Sequence, residues 1–248
     1  FFEFFREKFA LEFPEKKRYW GYTSEIIGKK AGLPSLQETL AQVEADGYRK
    51  AVVQPLHVFP GTEYQQVTET CAFFPGLRIF LGETLLHRWD FVRETLAVLE
   101  QDFLPHDKGL NLLALHGTPL AADPVNVVYL GLERLVLDLY SNVLAASVEG
   151  LPDQEAVLAR IKRKGLNERF DRVRIIPLMF FAGMHVEDDL MGECGSWRET
   201  LTAMGFTVEC SMADCGEPAA FKGLAYYPEM LSFFLERLRR ALTLAQYF

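Results

Sequence analysis

Three residues with metal-binding side chains stand out by their positions along the chain. His116, Glu149 and His185 each follow an apolar segment that we predict to be a β-strand, and they are separated by 33 and 36 residues. Because ligands bind at the carboxyl ends of strands in open α/β sheets, side chains at successive strand ends can converge. Two imidazoles and a carboxylate suit Co²⁺, Fe²⁺, Ni²⁺ or Zn²⁺ better than Mg²⁺ or Ca²⁺. The alternative is that all three are loop residues that hydrogen-bond to the backbone.

An acidic run, Glu187-Asp188-Asp189, follows shortly after His185. Acidic residues in the first turn of a helix interact favourably with the helix dipole, and this is the interpretation we favour. The alternative is an acidic path that attracts hydrated cations. We interpret His57, at the end of an earlier predicted strand, as a structural histidine, although it could serve as a ligand, a substrate contact or an interface residue.

Strands and helices that alternate along the chain must position these residues. In the first half we predict helices over 1–14, 36–45, 63–73 and 87–103 and strands over 18–23, 50–58 and 77–81. In the second half we predict strands over 110–115, 142–148, 172–181 and 206–211 and helices over 125–140, 153–164, 186–204 and 228–247. Such alternation indicates βαβ units and parallel sheets. We therefore predict an α/β fold of two similar lobes, 1–108 and 109–248, each a parallel sheet flanked by helices, with a cleft between them.

An internal repeat supports the two lobes. Residues 54–61 (QPLHVFPG) align with residues 176–183 (IPLMFFAG) at an offset of 122, and each copy leads from an apolar strand toward a helix. At this offset, the counterpart of the strand at 110–115 would lie before residue 1. We therefore expect the natural protein to begin with a further strand that is missing here, unless the first half has only three strands.

Composition and motifs exclude several classes of protein. The chain has 248 residues, 49% of them hydrophobic, and a net charge of −8. An acidic surface repels nucleic acid and anionic lipid, so neither is an expected partner. No apolar run approaches the roughly 20 residues of a membrane span. The sequence has no GxGxxG, P-loop, GxSxG or HExxH motif, so we expect no nucleotide cofactor.

At these residues the chain resembles the class II tetrapyrrole chelatases, specifically the anaerobic-pathway sirohydrochlorin cobaltochelatases. Four stretches carry the resemblance, in the order and spacing of the family: residues 54–64 (QPLHVFPGTEY), 116–119 (HGTP), 147–152 (SVEGLP), and 177–197, which runs from PLM through AGMH to SW. The resemblance extends over nearly the whole chain. Three positions depart from the family: Leu115 stands where Gly is usual, Leu120 where a second His is frequent, and Met184 where Asp is usual.

The resemblance implies a function and a site. It implies an enzyme that inserts a divalent metal ion, Co²⁺ before Fe²⁺ or Ni²⁺, into sirohydrochlorin during anaerobic cobalamin biosynthesis. The metal ligands of the family fall on His116, Glu149 and His185, which would also be the catalytic residues. Gly117, Thr118 and Met184 are then expected to contact the tetrapyrrole.

Other interpretations stay open at this point. A two-lobed α/β protein could carry a metal or tetrapyrrole without catalysis, or this protein could be a related chelatase that inserts Fe²⁺ or Ni²⁺. We expect a cytoplasmic protein, or a periplasmic one if a signal peptide precedes the given start. A homo-oligomer is possible.

Overall fold

The computed structural model describes residues 2–23, 28, 32–214 and 220–248. The chain divides into two compact units, one formed by Phe1–His87 with Glu229–Phe248 and the other by Arg88–Pro228. These units differ from the lobes predicted at 1–108 and 109–248 for two reasons. The second unit already begins at Arg88, and the last helix belongs to the first unit.

The first unit is built around a short parallel sheet. Its elements are α1 (Phe2–Glu12), α2 (Leu36–Ala45), β1 (Lys50–Val53), α3 (Thr62–Ala72), β2 (Arg78–Leu81) and the closing helix α9 (Pro228–Tyr247). Ser35 caps α2 in a capping box with Glu38, as the Ser-x-x-Glu pattern predicts. Strands β1 and β2 pair in parallel, and Leu40, Val43 and Leu77 form a buried cluster of this unit.

The second unit contains the longer strands. Its elements are α4 (Trp89–Leu99), a 3₁₀ turn (Glu100–Asp102), β3 (Leu110–Gly117), α5 (Val125–Leu139), β4 (Val143–Glu149), α6 (Gln154–Arg163), α7 (Leu166–Arg169), β5 (Arg172–Pro177), a π-helix (His185–Leu190), α8 (Trp197–Ala203), β6 (Thr207–Cys210), β7 (Met212–Ala213), β8 (Ala220–Phe221) and a second 3₁₀ turn (Leu224–Tyr226). The four main strands form one parallel sheet in the order β4-β3-β5-β6. β3 and β5 are its inner strands, and residues 110–115 of β3 are all buried, which fits their continuous apolar sequence.

Two predicted strands end earlier than expected because of proline. β1 stops at Val53 and β5 stops at Pro177, whereas the apolar pattern extended them to residues 58 and 181. A proline has no amide hydrogen for the ladder, and Pro55 and Pro177 both stand at these ends. In the first copy of the repeat, the chain after β1 is hydrogen-bonded to the loop after β2. The Leu85 amide donates to the His57 carbonyl at 3.0 Å.

Two further predictions differ from the structure. Residues 18–23 form no strand and contribute only an isolated bridge between Tyr22 and Ser35. The helix predicted over 186–204 is a π-helix and a separate α-helix, α8. Gly192 and Gly195 lie between them, and the Ser196 side chain accepts from the amide of Glu199 to cap α8. In the described part of the chain, no helix is long and apolar enough to cross a membrane.

Candidate metal site at the edge of the second sheet

The carboxyl ends of three strands of the second unit meet where the predicted ligands lie. His116 is the penultimate residue of β3, Glu149 is the last residue of β4, and His185 opens the π-helix that follows β5. β3 pairs with both β4 and β5, so the three segments are neighbours. His116 and Glu149 thus lie at strand ends, as predicted, whereas His185 lies in the π-helix eight residues after the end of β5.

Two glycines fix the ends of β3 and β4 against each other. Gly117 is opposite Glu149 in the register, and the Thr118 amide donates to the Glu149 carbonyl at 2.9 Å. A Cβ atom on Gly117 would lie 1.7 Å from that carbonyl oxygen, and one on Gly150 would lie 2.1 Å from the Thr118 oxygen. Both glycines also have positive φ, at 80° and 75°. The two positions therefore require glycine.

The π-helix is anchored by its apolar residues. Val186 and Leu190 are fully buried in the core of the second unit. The turn before them is held by the Val186 amide, which donates to the Gly183 carbonyl at 2.8 Å. This packing leaves His185 at the margin of the core, with 38% of its side chain exposed, and Asp189 more exposed still at 48%.

The imidazoles of His116 and His185 are in direct contact. Their ring centroids lie 4.6 Å apart with an interplanar angle of 83°, an edge-to-face arrangement. Nδ1 of His116 lies 3.2 Å from the carbonyl oxygen of Gly117, and Nδ1 of His185 lies 2.6 Å from Oδ2 of Asp189. The structure thus brings together two predicted ligands that are 69 residues apart in the sequence.

Glu149 lies on the strand next to His116 and is exposed. Among the described residues, no group of three or more His, Cys, Asp and Glu side chains is placed to hold a metal ion. The third ligand therefore stays a prediction, whereas the two imidazoles are already in contact.

The residues predicted to contact the tetrapyrrole lie at the same strand ends. Gly117 ends β3 and Thr118 follows it, and the Thr118 side chain accepts from the Leu120 amide at 3.2 Å. Met184 directly precedes His185 and is 76% exposed. Further exposed apolar side chains follow the same three strands: Leu120, Leu151 and Phe181. We call these three and Met184 the apolar rim.

His57 belongs to the first unit. Its Nε2 lies 3.2 Å from the hydroxyl oxygen of Thr23. Burial lowers the pKa of His57, and the nearby carboxylate of Glu63 opposes this shift. Its Nδ1 is buried and has no hydrogen-bond partner among the described residues, so the structural role that we favoured for His57 stays a prediction.

Sequence reasoning missed the pairing of His185 with Asp189. We assigned the acidic run 187–189 to the dipole of a regular helix, but Asp189 hydrogen-bonds to the imidazole. The signal was present as a His and an Asp four residues apart, a spacing that brings side chains together on a helix.

Comparison with known proteins gives a consistent result over nearly the whole chain. A family model described as cobalt chelatase (CbiK) matches residues 2–243. The sirohydrochlorin cobaltochelatase of Salmonella typhimurium is 22% identical over 245 residues, which cover 95% of this chain and 87% of that relative. The sirohydrochlorin cobaltochelatase CbiKC of Nitratidesulfovibrio vulgaris is 24% identical over 254 residues, which cover 96% of this chain and 83% of that relative.

Two solved structures share the fold. SirB from Bacillus subtilis with Fe³⁺ has a TM-score of 0.55 at 17% identity and covers 84% of this chain and 77% of its own. The sirohydrochlorin chelatase SirB from Bacillus subtilis subspecies spizizenii in complex with cobalt has a TM-score of 0.51 at 17% identity, covering 84% of this chain and 76% of its own. With the parallel sheets of both units, these similarities confirm the predicted α/β class.

Proposed function

The chain belongs to the cobalt chelatase (CbiK) family, and from this membership we propose that it inserts a divalent metal ion into sirohydrochlorin. The family match confirms the resemblance found in the sequence. Co²⁺ is the metal that we propose, in agreement with the names of the two curated relatives. Fe²⁺ and Ni²⁺ are the alternatives, because the same nitrogen and oxygen ligands bind all three ions.

The contact between His116 and His185 is the observation that carries this proposal. The two imidazoles, whose ring centroids are 4.6 Å apart, would supply two of the three ligands of the proposed site. In the proposed site Glu149 supplies the third ligand from the adjacent strand. The remaining coordination positions stay open for the nitrogens of the macrocycle.

The reaction has two requirements that these residues can meet. The ion must be held by ligands that exchange, and the two pyrrole N–H protons of the macrocycle must leave as the metal enters. Imidazole and carboxylate groups are suitable proton acceptors near neutral pH. A nitrogen that binds the metal cannot accept a proton at the same time, so we assign to His116 an exchange between the two roles.

The apolar rim offers a surface for the macrocycle. Exposed apolar side chains at the ends of β3, β4 and β5 match the faces of a tetrapyrrole better than its carboxylates. The protein itself carries a net charge of −8, and three acidic residues, 187–189, follow His185 on the π-helix. These charges favour the approach of a cation and oppose that of an anionic macrocycle, which must therefore gain affinity from its apolar faces.

The test is a steady-state assay of the purified protein with sirohydrochlorin and Co²⁺, followed by absorbance. We expect metallated product in molar excess over the protein. Replacing one imidazole ligand, in His116→Ala or His185→Ala, should abolish turnover. It should also lower the affinity for Co²⁺ by more than about 100-fold, which is the largest loss expected when only a hydrogen-bond partner of a metal ligand is removed.

His106→Ala is the matched control, because His106 is exposed and lies in a turn of the same unit. This variant should retain the activity of the unmodified protein. Binding of one equivalent of tetrapyrrole without turnover would contradict the chelatase and identify a carrier. Parallel assays with Fe²⁺ and Ni²⁺ under anaerobic conditions decide the metal.

A further inference from the structure

We infer that Asp189 is a positioning residue that fixes the tautomer and orientation of His185 for metal binding. The inference rests on the proposed metal site and adds to it Asp189, whose carboxylate hydrogen-bonds to the proposed ligand His185. It starts from the 2.6 Å separation between His185 Nδ1 and Asp189 Oδ2.

The chemistry of the two groups sets the direction of this hydrogen bond. An ionised carboxylate only accepts hydrogen bonds, so Nδ1 of His185 must carry the proton. In a neutral imidazole the other nitrogen, Nε2, then has a free lone pair, which is the form that binds a metal. A carboxylate partner also raises the basicity of the ligating nitrogen and restrains rotation of the ring.

His116 is held in the same tautomer by a different acceptor. Its Nδ1 faces the carbonyl oxygen of Gly117 at 3.2 Å, and a carbonyl also only accepts. Both imidazoles in the contacting pair therefore present Nε2 as the available ligand atom. The difference is that the acceptor for His116 is neutral and part of the backbone, whereas the acceptor for His185 is a charged side chain that a substitution can remove.

The backbone brings Asp189 to this position. Val186 and Leu190 bury the apolar side of the π-helix, which leaves the residues between them at the surface. Asp188 and Asp189 are adjacent exposed acids, but only Asp189 is bonded to His185 among the described contacts. The two acids therefore contribute similar charge to the surroundings and differ in the contact that we propose to be functional.

The test compares Asp189→Ala, Asp189→Asn and Asp188→Ala by titration with Co²⁺ alone, followed by calorimetry and by the visible spectrum of the bound ion. We expect Asp189→Ala to weaken Co²⁺ binding by about 10- to 100-fold and to change the spectrum. Asp189→Asn keeps an acceptor oxygen for Nδ1–H and should recover part of the loss. Asp188→Ala removes the same charge and should stay within about twofold of the unmodified protein, as expected for an exposed charge.

A second readout reports the tautomer directly. In protein labelled with ¹⁵N in its histidines and free of metal, the spectrum of His185 should show a protonated Nδ1, and Asp189→Ala should lose this signature while thermal unfolding stays unchanged. Equal Co²⁺ affinities and spectra for Asp189→Ala and Asp188→Ala would overturn the inference. Because neither readout uses sirohydrochlorin, a protein that binds Co²⁺ without turnover would contradict the proposed function and leave this result interpretable.

Discussion

Leu120 and Met184 make the surroundings of the two imidazoles less polar than the family pattern leads one to expect. Both are exposed at the strand ends that carry the histidines, with 57% and 76% of their surfaces accessible. Leu115, the third departure, is fully buried and serves the core of the sheet. Only Leu120 and Met184 would therefore change what an ion or macrocycle at the proposed site encounters.

Met184→Asp tests this point at the scale of one residue. A carboxylate next to His185 adds a negative charge close to the proposed ion, so Co²⁺ should bind about two- to fivefold more tightly, the range of exposed ion pairs. The same charge at the apolar rim should raise the KM for sirohydrochlorin. Co²⁺ titration and steady-state kinetics measure the two effects.

Leu139→Asp is the control, because Leu139 is exposed at the end of α5, away from the strand ends of the site. Tighter Co²⁺ binding in both variants would show that net charge, and not position, is responsible. No change in either parameter for Met184→Asp would remove Met184 from the site.

At the scale of elements, the site depends on how β3 and β4 end. Gly117 and Gly150 let the ends of the two strands approach to distances that a Cβ atom would prevent, and this close approach sets Glu149 beside the end of β3. The side chain of Ser147 adds to the turn by donating to the Leu151 carbonyl at 3.1 Å. The position of the predicted third ligand is thus a property of two strand ends.

Gly117→Ala is the change that tests this close approach. The new methyl group would collide with the Glu149 carbonyl, and alanine at a φ of 80° is strained. We therefore expect the free energy of unfolding to fall by more than the ~1–2 kcal/mol that a left-handed backbone conformation alone costs. Co²⁺ affinity should fall as well, because Glu149 is displaced. Urea unfolding and Co²⁺ titration measure these losses.

Gly165→Ala supplies the matched control. Gly165 has a φ of 61°, but a Cβ atom there would meet only the Glu168 carboxylate at 3.7 Å. It therefore has the backbone strain without the collision and should keep normal Co²⁺ binding. Equal destabilisation in both variants would mean that contact with Glu149 adds nothing to the requirement for glycine.

At the scale of the whole molecule, the net charge of −8 acts in opposite directions on the two substrates. Added salt screens charges beyond a Debye length of about 10 Å at 0.1 M. Screening reduces both the attraction for Co²⁺ and the repulsion of the anionic macrocycle.

Raising the ionic strength from about 20 mM to about 200 mM should therefore raise the KM for Co²⁺ and lower the KM for sirohydrochlorin, each by about two- to tenfold. Steady-state kinetics in sodium chloride and choline chloride should agree, since the effect is general screening. If the KM for sirohydrochlorin rises with salt, local basic residues dominate its recognition and the net charge does not govern it.

The sequence by itself determined much of this molecule. Apolar strands, the Ser35 helix cap and the alternation of elements predicted the α/β class and most element positions, because these signals are local. His116, Glu149 and His185 could be singled out because residues at the ends of parallel strands meet at one edge. The named family followed from motifs at the same residues.

Tertiary structure alone decided the remaining features. The return of α9 to the first unit depends on partners that are distant in the sequence. The contact between His116 and His185 depends on the pairing of β3 with β5 and on buried anchors in the π-helix. A sequence pattern lists candidate ligands, but only packing sets the distance between them, and that distance determines whether they can share an ion.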